Sequence, residues 1–262
     1  MQRTATAHLD LEAAAPATLI LSIAIADGSA AESMHISQAG RSLTPTEVLD
    51  QHGARLHVVD VEVGPVTVDY SVTKDGALPQ SEPEMVDELR YLRPSRYCES
   101  DTLGPIARAE FAGLSGNQLL AGVSSWVGQN LFYVPGSSQP TDGAVATLLS
   151  RRGVCRDYAH LVVALLRALD VPARLTSVYA PGLDPMDFHA VAEAFVDGQW
   201  YAVDATTLAP RRTLMRIATG RDASDTAFLS TRRGAVTLRN LEVSAVSDQL
   251  PDDDLFELVR LA

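Results

Sequence analysis

A chain of 262 residues with 46% hydrophobic and 21% charged side chains has the composition of an ordinary globular protein of one large or two modest domains, which excludes fibres and disorder. Its 33 acidic against 21 basic residues leave a formal charge of −12; this repels phosphate backbones and anionic lipid, so no nucleic acid and no membrane is expected as partner. Two cysteines are too few for a disulfide framework and raise instead the question of a reactive thiol.

The longest apolar run near the start, residues 17–26, is far short of the ~20 residues that span a bilayer. Acidic Asp10 and Glu12 precede it, where a secretion signal carries positive charge, so a cytoplasmic location is expected. Over residues 4–73 the pattern has period two. Ala5, Ala7, Leu9 and Leu11 alternate with polar partners, as do Val66, Val68, Tyr70 and Val72. With breaks at Gly28, Gly53 and Gly64-Pro65, this predicts antiparallel strands with one apolar face, forming an all-β, sandwich-like domain over 1–80.

Prolines 79, 83 and 94 bracket the acidic stretch 82–88 and predict a linker, taken with the entry to a core as 81–113, before a second domain at 114–262. Helical spacing then returns. Leu119, Leu120, Val123, Trp126 and Val127 mark one helix; Val145, Leu148 and Leu149 mark another, with Thr141 or Asp142 as N-cap. A third has Tyr158, Leu161, Val162, Leu165, Leu166 and Leu169 on one face and ends at Val171-Pro172. Cys155 falls in its first turn, on the same inward side.

Asp197-Gly198 between the alternating segments 189–196 and 199–205 is a strong two-residue hairpin signal. The aspartates at 252–254 lack the spaced oxygen ligands of a calcium loop and predict instead the acidic start of a short helix over 255–262. No cofactor and no metal is expected, since His8, His35, His52 and His57 show no ligand-like spacing.

The hairpin has a geometric consequence. A two-residue turn sets Val191 opposite Asp204 and His189 opposite Thr206, with all four side chains on one face of the ribbon. His189 and Asp204 are then diagonal neighbours, about 7–8 Å apart at Cα, within reach of a hydrogen bond. Such a carboxylate fixes the imidazole tautomer and stabilises the imidazolium. Cys155 fits as the nucleophile because the unsatisfied N–H groups of a helix start favour a thiolate and can serve an oxyanion. Spacing alone does not bring His189 to Cys155.

The blocks Arg152-Gly153-Val154-Cys155-Arg156-Asp157-Tyr158-Ala159-His160, Val171-Pro172-Ala173-Arg174, Asp187-Phe188-His189-Ala190-Val191 and Trp200-Tyr201-Ala202-Val203-Asp204-Ala205-Thr206 resemble, in order, the core of the transglutaminase-like superfamily. The whole chain is similar to bacterial members with a β domain before that core. The resemblance implies an α+β class: a papain-like core of helices on an antiparallel sheet, preceded by the β domain. It makes Cys155 the nucleophile, His189 the general base and acid, and Asp204 the orienting carboxylate. The implied reaction is thiol acyl transfer on a peptide or carboxamide through a thioester. Water as acceptor makes a peptidase or amidase, an amine makes a transamidase, and a non-catalytic binding scaffold is the alternative.

Two departures accompany the resemblance. A tryptophan follows the histidine by two in many relatives, where this chain has Val191, and no calcium dependence is expected. Trp126, Gln129, Asn130 and Tyr133 lie where the superfamily often places a side-chain donor to the oxyanion; Trp126 reads as core, leaving Gln129 and Tyr133. Cys98 reads as a surface or packing thiol. His160, about 140° around the helix from Cys155, reads as exposed or hydrogen-bonded. Asp157 reads as a first-turn acid favouring the helix dipole, and the 219–225 stretch with Arg221, Asp222 and Asp225 as a solvated loop rather than a cleft wall.

Overall fold

A computed structural model describes residues 1–26, 31–76 and 83–261; Gly28 and Pro79, two of the expected breaks, lie outside them. The first half contains β1 (Gln2–Ala13), β2 (Ala17–Leu21), β3 (Ala31–Gln38), β4 (Arg41–Leu43), β5 (Thr46–Leu49), β6 (Arg55–Val61) and β7 (Gly64–Asp75). Then come helices α1 (Met85–Arg90), α2 (Ser100–Glu110) and α3 (Gly116–Asn130), strand β8 (Phe132–Tyr133), helix α4 (Ala144–Ser150), strand β9 (Arg152–Gly153) and helix α5 (Cys155–Arg167). The chain ends with β10 (Ala173–Tyr179), β11 (Phe188–Val196), β12 (Gln199–Val203), β13 (Met215–Gly220), β14 (Leu229–Arg232) and β15 (Val236–Ser247). No helix of the described residues is long and apolar enough to cross a membrane.

Period two in the sequence becomes alternating burial. Leu9 and Leu11 of β1 and Val66, Val68 and Val72 of β7 point into one core with Leu19, Leu21, Val59 and Val61, as the pleat requires. Two antiparallel sheets, ordered β15-β1-β7-β3-β4 and β14-β2-β6-β5, close over that core as a sandwich. This is the expected β unit with two strands added from the far end of the chain.

Those strands tie the far end of the chain to the unit expected over 1–80. β15 pairs with β1 from Arg3↔Ser247 to Ala13↔Val236, and β14 pairs with β2, so 229–247 belongs to the sandwich and not to a continuous domain over 114–262. The register shift at Asp10/Leu11 interrupts the alternation in β15, which hid the strand from a period-two reading. The expected linker also contains α1 and α2. In α2, Leu103 and Ala107, continued by Phe111, form an apolar stripe buried with the second core, although Pro105 sits inside the helix.

That second core lies under α5. The antiparallel sheet β12-β11-β10-β13 presents small residues, Ala173, Ala192 and Ala194, to a cluster containing Val162, Leu165 and Leu166, so the helix beds closely on the sheet. The expected helices at 119–127 and 145–149 are α3 and α4, but α4 starts from Gly143 without a side-chain cap. Over the described residues 255–261 the expected helix does not form. Asp253 instead takes up the buried Arg211 guanidinium at 3.0 Å, and Ala202 N–H donates to the Val259 carbonyl at 2.8 Å, which holds the tail extended against the sheet.

Candidate active site

Helix α5 starts at Cys155 as expected, and its start is built by local chemistry. The Asp157 carboxylate, fully buried, accepts the Val154 N–H at 2.8 Å and satisfies one orphan donor of the first turn. Gly153 has to be glycine: a Cβ there would lie 2.6 Å from the Asp157 Cβ. The Arg156 guanidinium grips the same carboxylate at 2.9 Å and ties it to Ser138 Oγ and the Gln139 carbonyl. Asp157 therefore does more than complement the helix dipole.

The two-stranded parallel ribbon β8-β9 sets Tyr133 opposite Gly153. Its hydroxyl thereby meets both the backbone N–H and the thiol of Cys155, and burial followed by the charge of that thiol pushes the phenol pKa up. Of the residues upstream of the thiol, Tyr133 is thus the one brought to Cys155. Gln129 is exposed on α3, Asn130 is engaged with Arg151 and the Trp126 carbonyl, and Trp126 bonds Glu110 at the surface.

The hairpin has the expected register, Val196↔Gln199 through Ala192↔Val203, with Asp197 and Gly198 at φ 50° and 78°, the positive values that a type I′ turn demands. His189 Nε2 donates to Asp204 Oδ2 at 2.9 Å. The other oxygen, Oδ1, accepts the Thr206 N–H at 2.8 Å and hydroxyl at 2.7 Å. Helix α3 fixes the end of β12: Ser124 Oγ donates to the Asp204 carbonyl at 3.1 Å, and a Cβ on Gly128 would stand 2.7 Å from the Ala205 carbonyl oxygen.

With Nε2 committed, Nδ1 of His189 is the remaining ring nitrogen; it is buried and makes no well-formed hydrogen bond. Burial works to lower the imidazole pKa, but the Asp204 charge, its hydrogen bond and the neighbouring Cys155 thiol outweigh it and push the value up to about 10. Asp204 moves down, burial being overcome by His189 and by the two Thr206 donors. The pair is therefore a carboxylate beside an imidazolium at neutral pH.

Cys155 and His189 open onto a cleft of about 520 Å³. Part of its wall is the 222–226 loop, through Ala223, Ser224 and Thr226; Arg221 and Asp225 are exposed as a solvated loop expects, while Asp222 is buried. Buried Asp222 accepts the Tyr97 N–H at 2.9 Å and the Ser224 hydroxyl at 2.6 Å. His160, fully buried, stacks on Tyr97 and accepts the Ala223 N–H at 3.1 Å. Neither role is visible in sequence, because loop and helix are 63 residues apart.

Cys98 is also fully buried, and burial pushes its thiol pKa up to about 12. It is a packing thiol. Among the described residues no group of three or more His, Cys, Asp or Glu is arranged to hold a metal ion.

Residues 117–205 match the family model of the transglutaminase-like superfamily. The crystal structure of a "putative cysteine protease" from Cytophaga hutchinsonii superposes with a TM-score of 0.86 at 29% identity, covering 100% of this chain and 94% of that one. An uncharacterized protein of Mycobacterium leprae is 26% identical over 159 residues, 56% of this chain and 57% of the relative. One of Mycobacterium tuberculosis is 32% identical over 124 residues, 41% and 39% respectively. The matches thus span about half, or less, of the length of these curated relatives.

Proposed function

We propose that this chain, whose residues 117–205 match the transglutaminase-like superfamily, is a thiol acyl-transfer enzyme acting on a peptide or carboxamide bond, with Cys155 as nucleophile, His189 as base and acid, and Asp204 as orienting carboxylate. The observation that carries this reading is the division of labour on His189. Nε2 is held by Asp204 at 2.9 Å, which leaves Nδ1, buried and otherwise unpartnered, for the thiol.

In this reading the Cys155 sulfur attacks the carbonyl carbon, and the π electrons move onto oxygen. The Cys155 N–H and the Tyr133 hydroxyl, already adjacent, are the donors that receive the oxyanion. Collapse expels the amine, which leaves with the Nδ1 proton of the imidazolium, and a thioester remains. An acceptor, water or an amine, then gives its proton to Nδ1 as it attacks the thioester and releases the thiolate. Water yields a carboxylate and closes a hydrolytic cycle; an amine yields a new amide.

The test is to incubate wild type and Cys155→Ala with a library of peptides and carboxamides, with and without an added primary amine, and to read products by mass spectrometry. Wild-type-dependent cleavage identifies a peptidase or amidase, and amine adducts identify a transamidase. Equal silence of both proteins, together with equal iodoacetamide labelling of Cys155 and Cys98 in the folded state, is the result expected of a binding scaffold.

A further inference from the structure

The cleft beside Cys155 is apolar where it leaves the reacting groups. Leu175, Phe188 and Ile217 come from the catalytic sheet, while Phe228, Leu229 and Leu241 come from the returning chain. Leu229 lies on β14 opposite Leu21, and Leu241 lies on β15 opposite Leu9. Two strands of the sandwich therefore carry part of the wall of a site whose chemistry resides in the other unit.

Four of these side chains, Phe188, Phe228, Leu229 and Leu241, are only half-buried. Each packs against the sandwich core on one side and turns its remaining surface to the cleft. Phe188 and Phe228 stack at 5.1 Å, and Phe188, which immediately precedes His189 on β11, lines the same cleft as the imidazole. Besides His189, the charged lining residues are Arg156 and Asp187, and Asp187 accepts the Phe188 N–H at 2.7 Å. The Arg156 guanidinium is already spent on Asp157, Ser138 and Gln139.

Against the wall formed by Leu175, Ile217, Phe228, Leu229 and Leu241, none of which carries a charge or a side-chain hydrogen-bonding group, a charged substituent would lose hydration uncompensated, whereas an apolar one gains by burial. A volume of about 520 Å³ lies within the range that takes small-molecule-sized groups.

We infer that the substrate carries an uncharged apolar group beside the amide that Cys155 attacks, and that the β sandwich is a specificity element whose Leu229 and Leu241 form part of that group's pocket. The inference rests on the thiol reading above and adds to it the substrate class and a task for the first unit. It requires the two units to act together, since neither sheet alone encloses the cleft.

N-substituted iodoacetamides test it without knowledge of the natural substrate. Wild-type protein is treated with iodoacetamide and with its N-benzyl, N-isobutyl, N-carboxymethyl and N-(2-aminoethyl) derivatives. Alkylation of Cys155 is followed by peptide mass spectrometry, and each rate is divided by that of the same reagent with glutathione. The normalised benzyl and isobutyl rates are expected to exceed both charged derivatives at least tenfold. Leu241→Glu and, independently, Leu229→Glu should each narrow that ratio at least threefold, with circular dichroism confirming the fold.

A flat ratio in wild type, or a preference for either charge, overturns the apolar pocket while fast Cys155 labelling by plain iodoacetamide leaves the thiol reading intact. A ratio that persists in both folded variants overturns the sandwich's part in it. Plain iodoacetamide labelling Cys155 no faster than Cys98 overturns the thiol reading itself, and with it this inference.

Discussion

Strand β11 carries two buried ionic centres, one at His189 and one at Glu193, and they differ in what is left over. The Glu193 carboxylate receives Arg174 Nε at 2.9 Å, Thr176 Oγ1 at 2.8 Å, and Arg216 through Nη1 at 2.6 Å and Nη2 at 2.7 Å. Arg174 is further covered by the Trp200 ring at 4.0 Å. Both oxygens are consumed, and the two guanidinium charges hold the carboxyl well below its ordinary range despite burial. At His189 the partner carboxylate is equally well satisfied, but Nδ1 is not. A saturated charge cluster fixes structure; one with a spare proton-carrying atom beside a thiol and an open cleft has chemistry to offer.

The contrast can be broken by mutation. The largest effect is expected at the thiol: Cys155→Ala should lower turnover of any substrate found in the library by more than about 10³-fold, with the urea midpoint nearly unchanged. Asp204→Asn comes next, with a loss of about 10²–10⁴-fold, because an amide cannot hold the imidazolium or impose its tautomer; a kcat that survives would remove Asp204 from the mechanism. Glu193→Gln should do the opposite. Leaving two buried guanidinium groups underneutralised costs about 3–5 kcal/mol of stability, read as a lower urea midpoint, while kcat per folded molecule stays near wild type. Were Glu193→Gln to abolish kcat without a change in stability, the two centres would not be separable as described.

A smaller effect is expected at the oxyanion. Tyr133→Phe removes a hydroxyl donor and retains the ring packed on Tyr158, so kcat should fall about 10–10²-fold with KM little changed. An unchanged kcat would reassign the hydroxyl to packing of the Cys155 backbone.

How much of this was legible in the sequence follows the range of the interactions. Cys155 at the start of α5 and the Asp197-Gly198 register are local: one follows from 3.6-residue spacing, the other from a turn that requires positive φ at both central residues. Together they place His189 against Asp204. The choice of Tyr133 over Gln129 and the burial of His160 were not legible, because a two-residue parallel ribbon and a loop 63 residues away leave no periodic trace. The return of β15 to β1 was hidden for the same reason, with its alternation broken at the Asp10/Leu11 shift. Helices α1 and α2, within the stretch read as linker and entry to the core, were not individually legible because Pro79, Pro83 and Pro94 drew the reading away from the stripe of Leu103, Ala107 and Phe111.

The gentlest way to sharpen the comparison is pH. His189, raised to about 10, adds stability that is fully present below its unfolded value of about 6.5 and is lost as pH rises through about 10. Asp204 and Glu193, both depressed, add stability present above the unfolded carboxylate range of about 4 and lost on further acidification. His160 and His52 behave differently from all three. Burial lowers each to about 4, so the unfolded chain binds their protons first, and stability must already fall as pH drops from about 6.5 toward 4. The urea midpoint should therefore be highest near neutrality and decline in both directions. His160→Asn is expected to lower the midpoint at pH 7, where the Ala223 anchor is weakened, and to flatten the acid limb by about 3 kcal/mol at most. An acid limb as steep in His160→Asn as in wild type would show that His160 does not stay neutral in the fold, and would move the pH response onto His52 and the carboxylate centres.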